Sequence, residues 1–313
     1  MEGVERLVVI GSGPAGLTAA IYGSRADLNP VVFMGTKYGG QLMLTSEVEN
    51  FPGFSDPVLG PELISRMKAQ AERLGARLVQ EDVTSVNFAT HPFQIHTPSG
   101  TTRATSVIVA TGANPRRLNL ASELRMMGKG VSNCAVCDGF FFKGKRVAVV
   151  GGGDTAMEEA TFLTKFASSV RVIHRRNELR ASAALRKEAM ANPKISFTWN
   201  SAVTEVLGDG RVQGVRIKNL ESGSETDLPL EGLFVAIGYD PNTEIFKGQL
   251  ALDEKGYVEV RNHTESSVPG VFVAGDVRDF RYRQAITAAA DGCKAVLDAE
   301  RFVKHKLEVS ALN

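Results

Sequence analysis

Cysteine is scarce in this chain: three residues in 313. So small and odd a count excludes a disulfide framework and points to a reducing compartment. In such a compartment the close pair Cys134-Ala135-Val136-Cys137 is either catalytic or metal-binding. A metal needs further ligands. Only Cys293 and five scattered histidines remain, without zinc-like spacing, so no metal site is expected. Charge of one sign is also missing. The 36 basic and 35 acidic residues are interspersed, which supplies no electrostatic case for nucleic acid or a membrane surface. Long hydrophobic runs are absent too, so no transmembrane helix is expected. Residues 7–10 are apolar but lead straight into a glycine turn, and they read as a buried strand rather than a leader. What the chain does have is glycine, 31 residues, much of it in clusters.

The first cluster is Gly11-Ser12-Gly13-Pro14-Ala15-Gly16, after a strand at 6–10. Gly11 permits a tight turn, Gly13 lets the backbone approach a pyrophosphate, and Gly16 allows close helix–strand packing. A helix at about 17–25 would aim its free N–H groups at the phosphates. The second strand, 30–34, ends in Met34-Gly35-Thr36-Lys37, with no carboxylate for an adenosine ribose. Backbone groups, Thr36 or Lys37 are left for that task. Gly39-Gly40-Gln41 lets the backbone run close to a large planar ligand, and Asn50 sits in a turn cluster at 49–53. An amphipathic helix at 61–74 places Leu63, Met67, Ala71 and Leu74 on one face and stops at Gly75. β segments at 77–80, 83–88 and 93–96 follow. A buried strand at 106–110 then ends in Ala110-Thr111-Gly112-Ala113.

The pattern then repeats. A strand at 146–150 enters Gly151-Gly152-Gly153-Asp154-Thr155-Ala156, with a helix at 155–167 and a strand at 170–173. A helix at 179–191, a β-rich stretch at 194–230 and a closing strand at 233–237 complete the unit. Residues 107–112 (Val-Ile-Val-Ala-Thr-Gly) match 233–238 (Leu-Phe-Val-Ala-Ile-Gly) in pattern. This duplication predicts an α/β fold with two Rossmann-like nucleotide-binding domains, three-layered and each with a β-meander. In the repeat the second strand ends in His174-Arg175-Arg176, with Arg180 a turn further on. Arginine there suits a 2′-phosphate and favours NADPH over NADH. Beyond Gly238, a strand at 271–274 ends in Gly275-Asp276, ahead of Arg283-Gln284-Ala285 and a helix to about 303. Asp276 reads as an acceptor for ribityl hydroxyls or as a plain loop carboxylate. The helix start near Arg283 favours the negative charge that a reduced flavin ring develops. On this helix Ile286, Ala290, Cys293 and Leu297 share a face that reads as buried, with Cys293 a structural thiol.

The dithiol lies directly ahead of the second glycine motif. Its spacing suits a disulfide at a helix start, Asp138 beside it could carry a proton, and Phe140-Phe141-Phe142 would pack the loop onto its domain. Taken with residues 11–16, 39–41, 49–53, 110–113, 151–159, 174–176, 180, 270–276 and 283–285, the loop at 134–141 resembles the low-molecular-weight thioredoxin reductases over the whole chain. The resemblance implies an FAD domain built from residues 1–114 and 245–313, with an NADPH domain, 115–244, inserted into it. It implies FAD contacts at Gly11, Gly13, Pro14, Ala15, Gly16, Gly40, Gln41, Asn50, Val83, Ala110, Thr111, Gly112, Gly275, Asp276, Arg283, Gln284 and Ala285. For NADPH it implies Gly151, Gly153, Asp154, Thr155, His174, Arg175, Arg176, Arg180, Ile237 and Gly238. By similarity Cys137 faces the flavin, Cys134 exchanges with thioredoxin or a similar small dithiol protein, and Asp138 is the acid. A cytoplasmic homodimer is implied as well. The chain departs from common patterns at Met34 and at Asp154, a carboxylate beside the nucleotide phosphates. Connectivity adds an expectation of its own: the dithiol and the NADPH motif share one domain, so that domain rotates between half-reactions.

Overall fold

The computed structural model describes residues 3–45 and 47–311. The chain divides into two units, Met1–Asn114 with Asp240–Asn313, and Pro115–Tyr239. The chain returns to the first unit at 239/240, ahead of the boundary after 244 read from sequence. Asn242 explains the difference. Its N–H donates to Gly112 O at 2.9 Å and its side-chain amide to Thr111 O at 2.8 Å, so it is tied into the first unit.

In the first unit the central strand Val4–Ile10 runs parallel to Val31–Phe33 on one side and to Gly100–Val109 on the other. The edge beyond Val31–Phe33 is Arg77–Val79, also parallel, rather than part of a meander. Gly100–Val109 is a single ten-residue strand. Its first half pairs antiparallel with Phe93–Thr97, and its second half pairs parallel with Val271–Val273. Leu7, Val8, Val9 and Ile10 are buried, because layers cover both sheet faces. Truncating Leu7 to alanine there would cost about 2–5 kcal/mol.

The first helix, Pro14–Arg25, starts earlier than the expected 17. Proline fits a first helical position because it has no N–H to leave unpaired. The last helix, Ala285–Ala311, outruns the expected end and packs on the first. A Cβ on Gly292 would overlap Ala15 O, so the two backbones meet there. That approach selects the buried face: Ala288, Ala295, Val296, Ala299 and Val303. The face expected to be buried is exposed instead, with Ile286 at 41% and Leu297 at 45%. Cys293 is half-buried. An alanine-rich helix has weak periodicity, so close packing rather than side-chain pattern sets its orientation.

The second unit holds a five-stranded parallel sheet in the order Val131–Ser132, Gly232–Val235, Arg146–Val150, Ser169–Ile173, Ile195–Thr198. The last of these, expected within a β-rich stretch, is the fifth strand of the sheet. An antiparallel meander, Ser201–Leu207, Gly214–Asn219 and Glu225–Pro229, follows. The helix Asp154–Leu163 ends before the expected 167. The helix expected over 179–191 is only Ala183–Ala191. The N–H groups of Arg180 and Ala181 both donate to Gly152 O, at 2.8 and 3.1 Å, and hold that segment as a loop against the glycine turn. Among the described residues no helix is long and apolar enough to cross a membrane, and no three metal-ligating side chains cluster.

Candidate active site

In the first unit the glycine turn is pinched by backbone on two sides. A Cβ on Gly11 would overlap Ala110 O, and one on Gly16 would overlap Gly11 O, whereas Gly13 faces open space. Pro14 and Ala15 open the helix behind it. Ser12 ties this turn to the second strand: its hydroxyl donates to Met34 O at 2.8 Å and accepts Gly39 N–H at 3.0 Å. Gly39 and Gly40 both take positive φ, +89° and +68°. The carboxylate missing from the strand end after Met34 is supplied in space by Asp82. It accepts from Thr36 N at 2.9 Å and Thr36 Oγ1 at 2.8 Å, which holds its proton affinity below the ordinary range. The Thr36 hydroxyl is therefore engaged within the protein.

The other candidates of this unit converge through hydrogen bonds. Gln41 Nε2 donates to Asn114 Oδ1 at 2.9 Å, and Asn50 Nδ2 donates to Gln284 Oε1 at 3.2 Å. Thr111 Oγ1 donates to Asn242 O at 2.7 Å, which anchors Thr111 and Gly112 to the returning chain. Val83 is half-buried against the core. Gly275 takes φ +79°, Arg283 takes φ +46° with its guanidinium on Phe280 O at 2.6 Å, and Ala285 begins the last helix. Asp276 Oδ1 is sealed from solvent and has no hydrogen-bond partner among the described residues. Burial foremost, then Asp279 and Asp291, push its pKa up to about 7, with Arg283 opposing. A buried acceptor without a donor costs about 1–3 kcal/mol. The hydroxyls of a ribityl chain are donors of the kind it lacks, so the residues present fit FAD.

In the second unit Gly151 takes φ +154°, and a Cβ on Gly152 would collide with the His174 ring. His174 is buried beneath the turn. Burial, more than the nearby arginines, holds its pKa below the ordinary value, and its Nε2 is buried without a hydrogen-bond partner among the described residues. It is a neutral packing block rather than a cation. Arg175, Arg176 and Arg180 are exposed. Asp154, the departure that put phosphate binding in question, is engaged: its Oδ1 accepts Ser182 N–H at 2.6 Å, just ahead of the helix Ala183–Ala191. Gly153 faces open space and Thr155 is half-buried. Ile237 packs against the meander core, and Gly238, at φ +110°, accepts Arg116 N–H at 2.9 Å. A glycine turn with room at Gly153 and three free-standing arginines beyond it fits NADPH.

The dithiol sits on the same unit. Val131–Ser132 is the sheet's edge strand, and the chain leaves its end into the short helix Ala135–Asp138. Cys134 caps that helix, its Sγ accepting Cys137 N–H at 3.1 Å, and it is joined to Cys137 by a disulfide with the Cα atoms 5.3 Å apart. Cys137 is exposed and Cys134 half-buried. Tyr239 Oη donates to Asn133 O at 2.7 Å, and Ser132 Oγ accepts Cys134 N–H at 3.0 Å, so the loop is held from both sides. Burial raises the pKa of Asp138, against a hydrogen bond from Ser132. Phe142 packs on Phe234 with ring centres 5.1 Å apart, but Phe140 is 59% exposed, so the phenylalanine run anchors the loop through only part of its length.

Residues 5–292 match the pyridine nucleotide-disulphide oxidoreductase family. A thioredoxin reductase from Streptomyces coelicolor is 55% identical over 306 residues, covering 97% of this chain and 95% of that one. Another, from Mycolicibacterium smegmatis, is 51% identical over 96% of this chain and 97% of its own. The solved thioredoxin reductase from Giardia duodenalis is 47% identical, with a TM-score of 0.92 over 96% of this chain and 98% of that one. The chain belongs to the thioredoxin reductase family. Three residues that organise this member's site escaped the sequence reading. Asp82 is 46 positions from the Thr36 it holds, and Asn242 is 131 from Thr111, so neither carries a local signal. Ser132 stands two residues before Cys134, and that proximity was a signal available to be read.

Proposed function

We propose that this enzyme is an NADPH-dependent thioredoxin-disulfide reductase that passes electrons from NADPH through FAD and the Cys134–Cys137 disulfide to the disulfide of thioredoxin or a similar small dithiol protein. The observation that carries the reading is the Cys134–Cys137 disulfide at a helix start, on the same unit as a glycine turn flanked by Arg175, Arg176 and Arg180. Bound FAD supplies a two-electron relay between a nicotinamide and a disulfide.

In the reduced enzyme the Cys134 thiolate attacks a partner sulfur. The partner S–S bond breaks as the mixed disulfide forms, and Asp138 gives its proton to the leaving sulfur. Asp138 regains a proton from the Cys137 thiol. The Cys137 thiolate then attacks Cys134 Sγ, the enzyme disulfide re-forms, and the partner leaves with both sulfurs reduced. Burial of Asp138 supports this role, because it keeps the carboxyl protonated further toward neutral pH. Because one unit carries both the nicotinamide turn and the disulfide, the reading includes a rotation about the paired crossings Ala113–Pro115 and Tyr239–Pro241. It also includes a homodimer in the cytoplasm, in keeping with the low cysteine count.

An anaerobic visible spectrum, titrated with NADPH and then with oxidised thioredoxin, tests the path. Flavin bleaching followed by recovery is expected. Bleaching without recovery would assign a different acceptor. A Cys137→Ser variant is expected to trap thioredoxin as a mixed disulfide on Cys134, and trapping by Cys134→Ser instead would reverse the two roles.

A further inference from the structure

Residues 180–182 are stapled to the second glycine turn by three hydrogen bonds from their own backbone. Arg180 N–H and Ala181 N–H donate to Gly152 O at 2.8 and 3.1 Å, and Ser182 N–H donates to Asp154 Oδ1 at 2.6 Å. Leu179 and Ala181, each 4% exposed, are buried on either side of Arg180, which is itself exposed. Beneath the turn, the His174 ring fills the space that a side chain on Gly152 would need. The backbone of Arg180 is thus fixed relative to the turn, and that fixes where its guanidinium can reach.

Asp154 holds the far end of this staple. It is the first residue of the helix Asp154–Leu163, where a carboxylate suits the helix dipole. Its partner Ser182 caps the start of the helix Ala183–Ala191, which packs on the first. An N–H bonded to a carboxylate at this length is charge-assisted and stronger than a neutral pair. Asp154 therefore joins the starts of two helices, and Arg180 lies two residues before that junction.

We propose that Asp154 is a positioning residue for NADPH: by holding Ser182 N–H, it keeps Arg180 where its guanidinium meets the adenosine 2′-phosphate. The proposal deepens the NADPH reading and rests on it. NADPH and NADH differ only in that phosphate, so the effect falls on the discrimination between them. A carboxylate near phosphates also repels them. Repulsion has the opposite sign: removing the charge would then tighten NADPH rather than loosen it.

The test is anaerobic rapid mixing of the FAD-loaded enzyme with NADPH and with NADH, taking the apparent Kd of each from flavin bleaching against cofactor concentration. The parent should prefer NADPH. Asp154→Ala should raise the apparent Kd for NADPH about fivefold, the worth of one hydrogen bond, and leave that for NADH within about twofold. Asp154→Asn, which keeps an acceptor, should recover most of the loss. Ser182→Pro deletes the N–H itself at a residue whose φ of −56° suits proline, and it should match Asp154→Ala. In an Arg180→Ala background, Asp154→Ala should add nothing further. Equal weakening toward both cofactors would leave Asp154 as a fold-holding residue and overturn the proposal. So would tighter NADPH binding by both Asp154 variants, or an undiminished effect in the absence of the Arg180 guanidinium. A parent with no preference for NADPH would instead remove the NADPH reading, and the proposal with it.

Discussion

Asp276 offers the sharpest test of the flavin site. In the flavin-free protein its carboxyl is pushed from 3.8 to about 7, chiefly by burial, with Oδ1 unpaired. A shift of about three units corresponds to about 4 kcal/mol between the protonated and ionised forms. A folded-state pKa raised above the unfolded one gives stability that is fully present below the unfolded pKa and lost as pH rises through the folded one. FAD-stripped protein should therefore lose up to about 4 kcal/mol of first-unit stability between pH 4 and pH 8. Asp276→Asn, of the same shape but unable to ionise, should be flat across that window and the more stable protein at pH 8. Urea unfolding followed by far-UV circular dichroism reads the helices and strands of both units together. Trp199, the single tryptophan, lies in the second unit, and its fluorescence supplies an internal control that should not carry the slope. When bound, ribityl hydroxyls donate to the ionised carboxyl, so FAD should be held more tightly at pH 8 than at pH 5 by the parent and not by the variant. Equal pH slopes in parent and Asp276→Asn would refute the reasoning.

Replacing Arg175, Arg176 or Arg180 with alanine should raise KM for NADPH about tenfold, the effect of one charge-assisted contact, while changing KM for NADH little; steady-state kinetics with both cofactors checks this. Gly16→Ala forces a methyl group into Gly11 O, so the purified variant should show little flavin absorbance and lose about 1–3 kcal/mol of stability. A covalent cross-link between the two units should leave flavin bound and halt thioredoxin turnover; undiminished turnover in the locked form would remove the rotation from the mechanism.

Much of this protein was written along the chain. The two glycine turns, the strands that feed them, the repeat of the whole unit and the dithiol loop are each local patterns. A strand followed by a glycine turn and a helix is dictated by near neighbours, because backbone room and hydrogen bonding are satisfied within a few residues. Local pattern failed where a distant partner set the outcome. Residues 179–182 have helix-compatible side chains, yet Gly152 O captures the Arg180 and Ala181 N–H groups and keeps them a loop. The last helix shows apolar residues on several faces, and the close contact of Gly292 with Ala15 helps choose which is buried. The strand end after Met34 lacks an acid in sequence and has Asp82 in space. Asp154 reads in sequence as a charge set against phosphate, and in the fold its Oδ1 also accepts the Ser182 N–H. The residue types and spacings determined which chemistry the chain can hold, because a turn and a Cys-x-x-Cys pair depend on covalent geometry nearby. Tertiary structure decided which polar groups remain free for that chemistry, because a hydrogen bond made across the fold engages a group that sequence alone leaves open.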